Sequence, residues 1–287
     1  MLRVPSEINK SEFELLKMQD ATFVAYRSDI YPAKNDVFFE ENAVIYVLEG
    51  DKKFNNTHHE VHVKKGDILF VRRGFYLMSE SINASYKSLV FFFDEKLLKE
   101  FVAINESIFE DTVPQSSQVD ALITFKTSEK FEQFIKTVLP YFEKKNSQYL
   151  NEFLRLKYQE LLLHLITFDT ADQLKKMLKL ISEGQKADLR YLMNNYYLKP
   201  LTLNEIARLS GRSLSSFKRA FQEEFETSPA AWIKQKRLEH AVFLLKNTTQ
   251  NISEISMEIG YESISHFIKA FKEKFGVTPK QLAMNKS

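Results

Sequence analysis

The 287-residue chain contains no cysteine, which excludes a disulfide framework and any zinc site built on thiolates. Long apolar runs are also missing. The longest aliphatic stretch, Leu161 to Ile166, is interrupted by His164 and falls far short of the roughly 20 residues that cross a bilayer. The opening segment, MLRVPSEINKSEFE, has no apolar core of the secretory type. These features predict a cytoplasmic protein without membrane association. There is no glycine-rich phosphate loop and no Ser/His/Asp set at a recognisable spacing. Charge of one sign is scarce as well: 40 basic and 38 acidic residues leave a formal +2, so no general polybasic tail is present. What remains is 44% hydrophobic, enough for two cores, and the length suits two domains.

The last hundred residues carry one pattern twice. Leu203-Asn-Glu-Ile-Ala-Arg-Leu-Ser-Gly211 is followed by Ser213-Leu-Ser-Ser-Phe-Lys-Arg-Ala-Phe221 and Thr227-Ser-Pro229. Its counterpart is Ile252-Ser-Glu-Ile-Ser-Met-Glu-Ile-Gly260, then Ser263-Ile-Ser-His-Phe-Ile-Lys-Ala-Phe271 and Val277-Thr-Pro279. Phe217, Phe221, Phe225 and Pro229 recur fifty positions later as Phe267, Phe271, Phe275 and Pro279. Ile206 recurs as Ile255, so the second copy holds one extra residue between its glycine and its second helix. A repeat of this kind is one supersecondary unit used twice.

Each copy reads as helix, tight turn, helix. Ile206 and Leu209, or Ile255 and Ile259, supply the buried face of the first helix. Gly211 and Gly260 end it, where a positive φ is needed. Ser213 or Ser215, and Ser263 or Ser265, are candidate N-caps for the second helix. The phenylalanines at i, i+4 and i+8 then face inward. That leaves a short polar and basic outer face: Ser215, Ser216, Lys218, Arg219 and Gln222 in one copy, Ser265, His266, Lys269 and Lys272 in the other. Such a face fits the major groove, where Arg, Lys and Gln reach base edges. The bland alternative, a helical hairpin with solvated charges, suits one copy better than two in tandem. Between them, Ala230 to Lys246 shows a stripe of Ile233, Arg237, Leu238, Ala241, Leu244 and Leu245. At 1.5 Å per residue it spans roughly 25 Å, suited to holding two reading helices near one DNA repeat of about 34 Å.

These residues resemble the DNA-binding domain of the AraC/XylS transcription regulators, from about Ala187 to Met284. The resemblance rests on Ile206-Ala207 with Ser210-Gly211, Ser228-Pro229, Trp232-Ile233, Arg237-Leu238 with Ala241 and Leu244-Leu245, and Ile255 with Ile259-Gly260-Tyr261. Phe267 to Phe271 and Phe275-Gly-Val-Thr-Pro279 complete it. Glu226 departs from the pattern, standing where glycine is usual, whereas Gly276 keeps it; Ile264-Ser-His266 makes the second reading helix less polar than many. Charge agrees with the resemblance. Residues 187–287 hold 15 Lys and Arg against 10 Asp and Glu, or +5, leaving 25 against 28, or −3, for the rest.

The first half has a different grain. Thr22–Tyr26, Ala43–Leu48, Val61–Val63, Ile68–Val71 and Ser88–Phe93 are short alternating or β-branched runs. Turn signals separate them at Glu49-Gly-Asp51, Asn55-Asn56, Lys65-Gly-Asp67, Arg73-Gly74 and Ile82-Asn83. This spacing predicts an antiparallel barrel or sandwich, with Phe38-Phe39 and Phe91-Phe92-Phe93 as its core. Val63-Lys-Lys-Gly-Asp-Ile-Leu-Phe-Val71 resembles the glycine-aspartate hairpin of the cupin-like arm of the same family. His58, His59, Glu60 and His62 suggest a cupin metal site, but period two turns Val61 and Val63 inward and Glu60, His62 and Lys64 to water. No metal or other cofactor is expected.

Residues 94 to 168 read as helices over Glu95–Asn105, Glu129–Lys144 and Tyr149–Phe168. The third has a stripe through Leu150, Leu154, Tyr158, Leu161 and Leu165, widened by Phe153, Leu156, Leu162, Leu163 and Ile166. A helix apolar on more than one side is buried between two bodies. The barrel is one; the other is a second subunit, as the family's dimerising helices imply, or the remainder of the same domain. Leu154, Tyr158, Leu161 and Leu165 are the candidate dimer contacts. An amphipathic Leu174 to Ile181 precedes Ser182-Glu-Gly-Gln-Lys186, the candidate hinge.

Gly66-Asp-Ile-Leu-Phe-Val-Arg-Arg-Gly-Phe-Tyr76 resembles the matching hairpin of the ExsA-type activators of type III secretion genes, whose N-terminal domain takes its signal from a protein partner and self-association. More usual in the family is a small effector inside the barrel. The expectation is therefore an α+β two-domain protein. Residues 1–170 form a cupin-like regulatory and dimerisation barrel with helices, 171–186 a linker, and 187–287 an all-α DNA-binding domain with two helix-turn-helix units. Its function is that of a sequence-specific DNA-binding transcription regulator, expected to activate although the residues do not fix the sign, and not that of an enzyme. The resemblance implies promoter DNA, RNA polymerase and a second copy as partners, with a small effector or regulatory protein as input. A cupin-type metal-dependent enzyme fused to a helical module is the rival; retained iron, zinc or manganese would reveal it. A structural adaptor is the other, separated by salt-dependent DNA binding.

Overall fold

The computed structural model describes residues 1–8, 13–28, 35–56, 59–80, 85–113, 120–143 and 148–284. It divides into two units, Met1–Gln185 and Lys186–Ser287.

Two sheets make up the first unit's β layer. Strands β2 (Glu14–Lys17), β3 (Ala21–Ser28), β5 (Asn42–Glu49), β8 (Asp67–Val71), β10 (Tyr86–Phe93) and β11 (Leu122–Lys126) form a six-stranded sheet in the order β11-β8-β5-β10-β3-β2. The other sheet is five-stranded, ordered β1-β4-β9-β6-β7, from β1 (Leu2–Val4), β4 (Asn35–Phe39), β6 (Asp51–Asn55), β7 (Glu60–Lys64) and β9 (Gly74–Glu80). All pairs are antiparallel except β1 with β4. Successive side chains of the larger sheet alternate between two cores. Val44, Ile68, Phe70, Leu89, Phe91 and Phe93 enter one; Ala43, Ile45, Leu69, Val71, Val90 and Phe92 enter the other, between the sheets. A sheet buried on both faces reads as a continuous apolar run instead of an alternation, which explains Phe91-Phe92-Phe93 and the wholly buried β8.

Helices α1 (Glu95–Ile104), α2 (Glu129–Val138), α3 (Pro140–Glu143), α4 (Leu150–Phe168) and α5 (Gln173–Ser182) supply the core on the outer face of the larger sheet. Asp94 and Ser128 cap α1 and α2 by accepting the N–H of Leu97 and Phe131. Asp169 accepts the N–H groups of Gln173 and Lys175 at the head of α5. One turn needs glycine outright: Gly50 has φ 75°, and a Cβ there would lie 2.3 Å from the Ser85 carbonyl oxygen.

Four sequence expectations change. β11 lies between the first two expected helices, where no strand was expected; it pairs with β8, and its Leu122 and Ile123 are buried. The helix expected over Glu129–Lys144 breaks at Leu139, because Pro140 starts α3, and Lys144 lies outside the described residues. The expected turn at Arg73-Gly74 runs directly into β9, while Ile82-Asn83 lies outside the described residues. Most of the span 171–186, expected to be linker, is α5, whose Leu174, Met177, Leu178 and Ile181 are buried in the first unit's core. The division between the units falls after Gln185, within Ser182–Lys186.

Among the described residues the second unit holds seven helices: α6 (Leu189–Tyr196), α7 (Leu203–Leu209), α8 (Leu214–Phe225), α9 (Pro229–Asn247), α10 (Ile252–Glu258), α11 (Ile264–Phe275) and α12 (Pro279–Met284). Helices α7 and α8 form one helix-turn-helix, α10 and α11 the other. Capping boxes open both first helices, Thr202 with Glu205 and Asn251 with Glu254. Ser213 and Ser263 cap α8 and α11, each accepting the N–H three residues on; Ser215 and Ser265 do not serve as caps.

Candidate nucleic-acid interface

The repeat places its two second helices in equivalent settings. Phe217 and Phe221 of α8 are fully buried, as are Phe267 and Phe271 of α11. Phe221 stacks on Phe225 at 4.2 Å between ring centroids, and Phe271 meets Phe275 at 4.7 Å. With that seam fixed inward, helical geometry turns the opposite residues to solvent. Ser215, Lys218, Arg219 and Gln222 are exposed and Ser216 is half-buried. On α11, Ser265, His266, Lys269 and Lys272 are all exposed. Among the described residues Lys218, Arg219, Lys269 and Lys272 make no ion pair, so each ammonium or guanidinium is available to an anion. His266 leans edge-on against Tyr261, with 5.9 Å between ring centroids. Ile264, 41% exposed, adds an apolar element to the second face that the first lacks.

Not every basic residue near these helices belongs to the outer face. Arg212 donates through Nη1 to the Ala187 and Ser210 carbonyls, at 2.9 and 3.0 Å, and burial pulls its pKa below the ordinary arginine value. Arg212 lies outside the reading face expected from the sequence. Its one signal is position, in the turn before the Ser213 cap.

The proposed dimer contacts require correction. Leu154, Tyr158, Leu161 and Leu165 are each 0% exposed, packed against the sheet; Phe93 and Tyr158, for example, lie 5.2 Å apart. None can touch another molecule. The outward face of α4 carries different apolar residues: Tyr149 just before it, 57% exposed, then Phe153 at 44%, Leu156 at 64% and Leu163 at 38%. Their spacing of four and three, then seven, is that of one helical seam, a signal present in the residues first read as merely widening the stripe.

Between the two sheets lies a cavity of about 230 Å³, walled by Val24, Phe39, Ile45, Phe54 and Phe92 among others. Lys52 enters it only 4% exposed, its ammonium 4.2 Å from the Tyr86 ring centroid and 4.6 Å from that of Tyr26. Period two along β6 places Lys52 on the same inward face as Phe54. The histidines in and just before β7 lie elsewhere. His62 pairs with Asp51 at 2.6 Å and His59 with Asp120 at 3.1 Å, both on the surface, while His58 lies outside the described residues. Val63 is buried and Glu60, His62 and Lys64 face water. Among the described residues no three metal-ligating side chains converge, and no helix is long and apolar enough to cross a membrane.

Comparison with known proteins places both units. Residues 42–177 match the family described as the ExsA N-terminal regulatory domain, and residues 206–285 match a helix-turn-helix domain family. The virulence regulon transcriptional activator VirF of Yersinia enterocolitica is 26% identical over 96% of this chain and 98% of its own. The HTH-type transcriptional regulator ExsA of Pseudomonas aeruginosa is 27% identical over 86% of this chain and 87% of its own. A crystal structure of apo ToxT K231A from Vibrio cholerae aligns over 94% of this chain and 99% of its own, at 12% identity and a TM-score of 0.44.

Proposed function

We propose that the chain is an AraC-type helix-turn-helix transcription regulator with an ExsA-type N-terminal domain, and that it reads two segments of one promoter through α8 and α11. It is a DNA-binding regulator and not an enzyme. The observation that carries the two-segment reading is the duplicated basic face: Lys218 and Arg219 on one helix, Lys269 and Lys272 on its counterpart, all exposed and outside any ion pair among the described residues. Arg219 and Lys218 contact base edges in the proximal groove, with Ser216 and Gln222 beside them; His266, Ser265 and Lys269 contact the distal one. Ser213 and Ser263, spent on their caps, are not readers. VirF is named an activator, and the same sign, exerted through RNA polymerase, is proposed here.

The same reading includes a homodimer joined through Tyr149, Phe153, Leu156 and Leu163 of the outer α4 seam, four exposed apolar side chains on one helix face with Glu160 between the last two, since exposed apolar patches rimmed by polar residues mark partner sites. Pairing two chains raises affinity by effective concentration, with no new kind of contact. Regulation enters through the first unit. The cavity around Lys52 favours a small, largely apolar effector, because its walls are mostly aliphatic and aromatic with a few polar groups, Lys52 among them.

Selection of bound duplexes from a random library, followed by footprinting, tests the proposal. Two protected segments per subunit are expected, centred about ten base pairs apart on one DNA face. Binding that is unaltered in both Arg219→Ala and Lys269→Ala, or a single short protected patch, would overturn it.

A further inference from the structure

Two hydrophobic clusters, and not one, fill the second unit. Leu189, Met193, Ile206, Phe217 and Phe221 build the first, with Trp232 and Ile233 of α9 packed against it. Leu238, Ala241, Leu245, Ile255, Phe267 and Phe271 build the second. Helix α9 thus belongs to the first cluster up to Ile233 and to the second from Leu238 onward. Apolar contact is non-directional, so two separate cores threaded on one helix need something more to fix their mutual angle.

Arg237 stands at the crossover. Its Nε donates to the Tyr197 carbonyl at 2.7 Å, its Nη2 to the Lys199 carbonyl at 3.1 Å and its Nη1 to the Gly260 carbonyl at 3.2 Å. Tyr197 is the C-cap of α6, which packs in the first cluster. Gly260 lies in the turn between α10 and α11, in the second unit of the repeat. The carbonyls at helix ends lack intrahelical donors, and the planar guanidinium offers five N–H groups in a rigid fork. One side chain therefore ties the end of α6 to the distal turn. The fit is tight: a Cβ at Gly260 would lie 2.8 Å from Arg237 Nη1. Leu198, between the two accepting carbonyls of the first segment, packs against the second cluster, so that segment is docked from both sides.

We propose that Arg237 is a positioning residue: by clamping Tyr197, Lys199 and Gly260 together it sets the angle between the two recognition helices, and with it the operator spacing the protein accepts. The consequence for DNA rests on the reading of α8 and α11 as base-reading helices; the clamp itself does not.

The absence of native cysteine makes a direct test possible. Lys218→Cys and Lys269→Cys, introduced together in the full chain, carry nitroxide labels on the two exposed faces, and pulsed electron paramagnetic resonance gives the distance distribution between them. With Arg237 present the distribution should be narrow. Arg237→Gln should broaden it and shift its centre, and Arg237→Lys, whose ammonium cannot span three carbonyls in one plane, should do the same to a smaller extent. Leu244→Ala, a core truncation on the same helix, should lower the melting temperature while leaving the distribution narrow. If Arg237→Gln does not fold, Arg237→Lys is judged by the same criterion. An unchanged width and centre in a folded Arg237 variant overturns the proposal. Because no DNA is present, the result stands apart from the base-reading assignment. Selection from random duplexes with the unlabelled Arg237→Gln protein then shows whether the two sub-motifs recur at scattered spacings.

Discussion

Glu226 and Gly276 close α8 and α11 at the same point of the repeat, and both hold a left-handed backbone, with φ of 55° and 78°. Each donates its N–H to the carbonyl four residues earlier, Gln222 at 3.0 Å and Lys272 at 2.9 Å. The geometry is one that glycine adopts freely and a β-carbon resists by about 1–2 kcal/mol. Glu226 pays that strain without an ion pair among the described residues to offset it.

Glu226→Gly should therefore stabilise the protein. Part of the relieved strain is lost to the greater freedom of glycine in the unfolded chain, so a net gain of about 0.5–1 kcal/mol is expected. Denaturant unfolding measures it. A destabilised variant would show that the glutamate makes a favourable contact, and DNA affinity should be unchanged in either case.

Arg219→Ala should weaken binding to a selected operator by about 1–3 kcal/mol, with a smaller loss on random duplex, because a base-edge contact is lost along with a charge. Fluorescence anisotropy on the two duplexes measures the difference. Equal losses on both would reduce Arg219 to a phosphate contact.

The second unit was legible almost to the residue, and the first only in outline. Caps, turn glycines and the i, i+4, i+8 phenylalanines are local signals that act within a few residues of each other, so Ser213, Phe217 and Gly260 declare themselves in sequence. Partners in a sheet do not. β11 pairs with β8, more than fifty positions away, and nothing near Leu122 announces that pairing. On α4 the difficulty was of another kind. Leu154 and Leu156 are equally apolar, and only the sheet decides that one is buried and the other 64% exposed. Lys52 was missed because a charged residue on an inward register contradicts the usual alternation, which is itself the signal of a site. Arg237 was visible as part of a stripe, but its three acceptors come from segments 23 to 40 positions distant.

His164 gives the first unit a pH dependence. Its ring lies among Phe131, Phe134 and Phe168, with centroid separations of 5.8, 5.3 and 6.3 Å. Burial there holds its pKa below the ordinary histidine value, against a smaller opposing pull from Glu160. The unfolded chain thus takes up this proton at a higher pH than the folded one. The stability contribution is complete above the unfolded pKa, near 6.5, and is lost as pH falls through the lower folded value. Thermal midpoints should fall between pH 7.5 and pH 5.5, and fall less in His164→Gln. Identical slopes for the two proteins would show that the ring is solvated in solution.

The outer seam of α4 yields the sharpest contrast between neighbouring positions. Leu156 and Leu163 are exposed in one chain, so a glutamate at either enters water and costs the fold little. At Leu161, with no exposure at all, a carboxylate would be buried among Leu154, Tyr158 and Leu165 without a partner, at a cost of several kcal/mol. Leu156→Glu, alone or with Phe153→Glu, should therefore give a soluble, folded monomer whose operator affinity drops through lost effective concentration, while Leu161→Glu should fail to fold. Sedimentation velocity of the full chain at tens of micromolar, beside circular dichroism, reads both outcomes. If the wild type sediments as a monomer, or if Leu156→Glu leaves a dimer intact, the seam is not the joint. If Leu161→Glu instead folds and only breaks the dimer, the assignment of inner and outer faces is wrong.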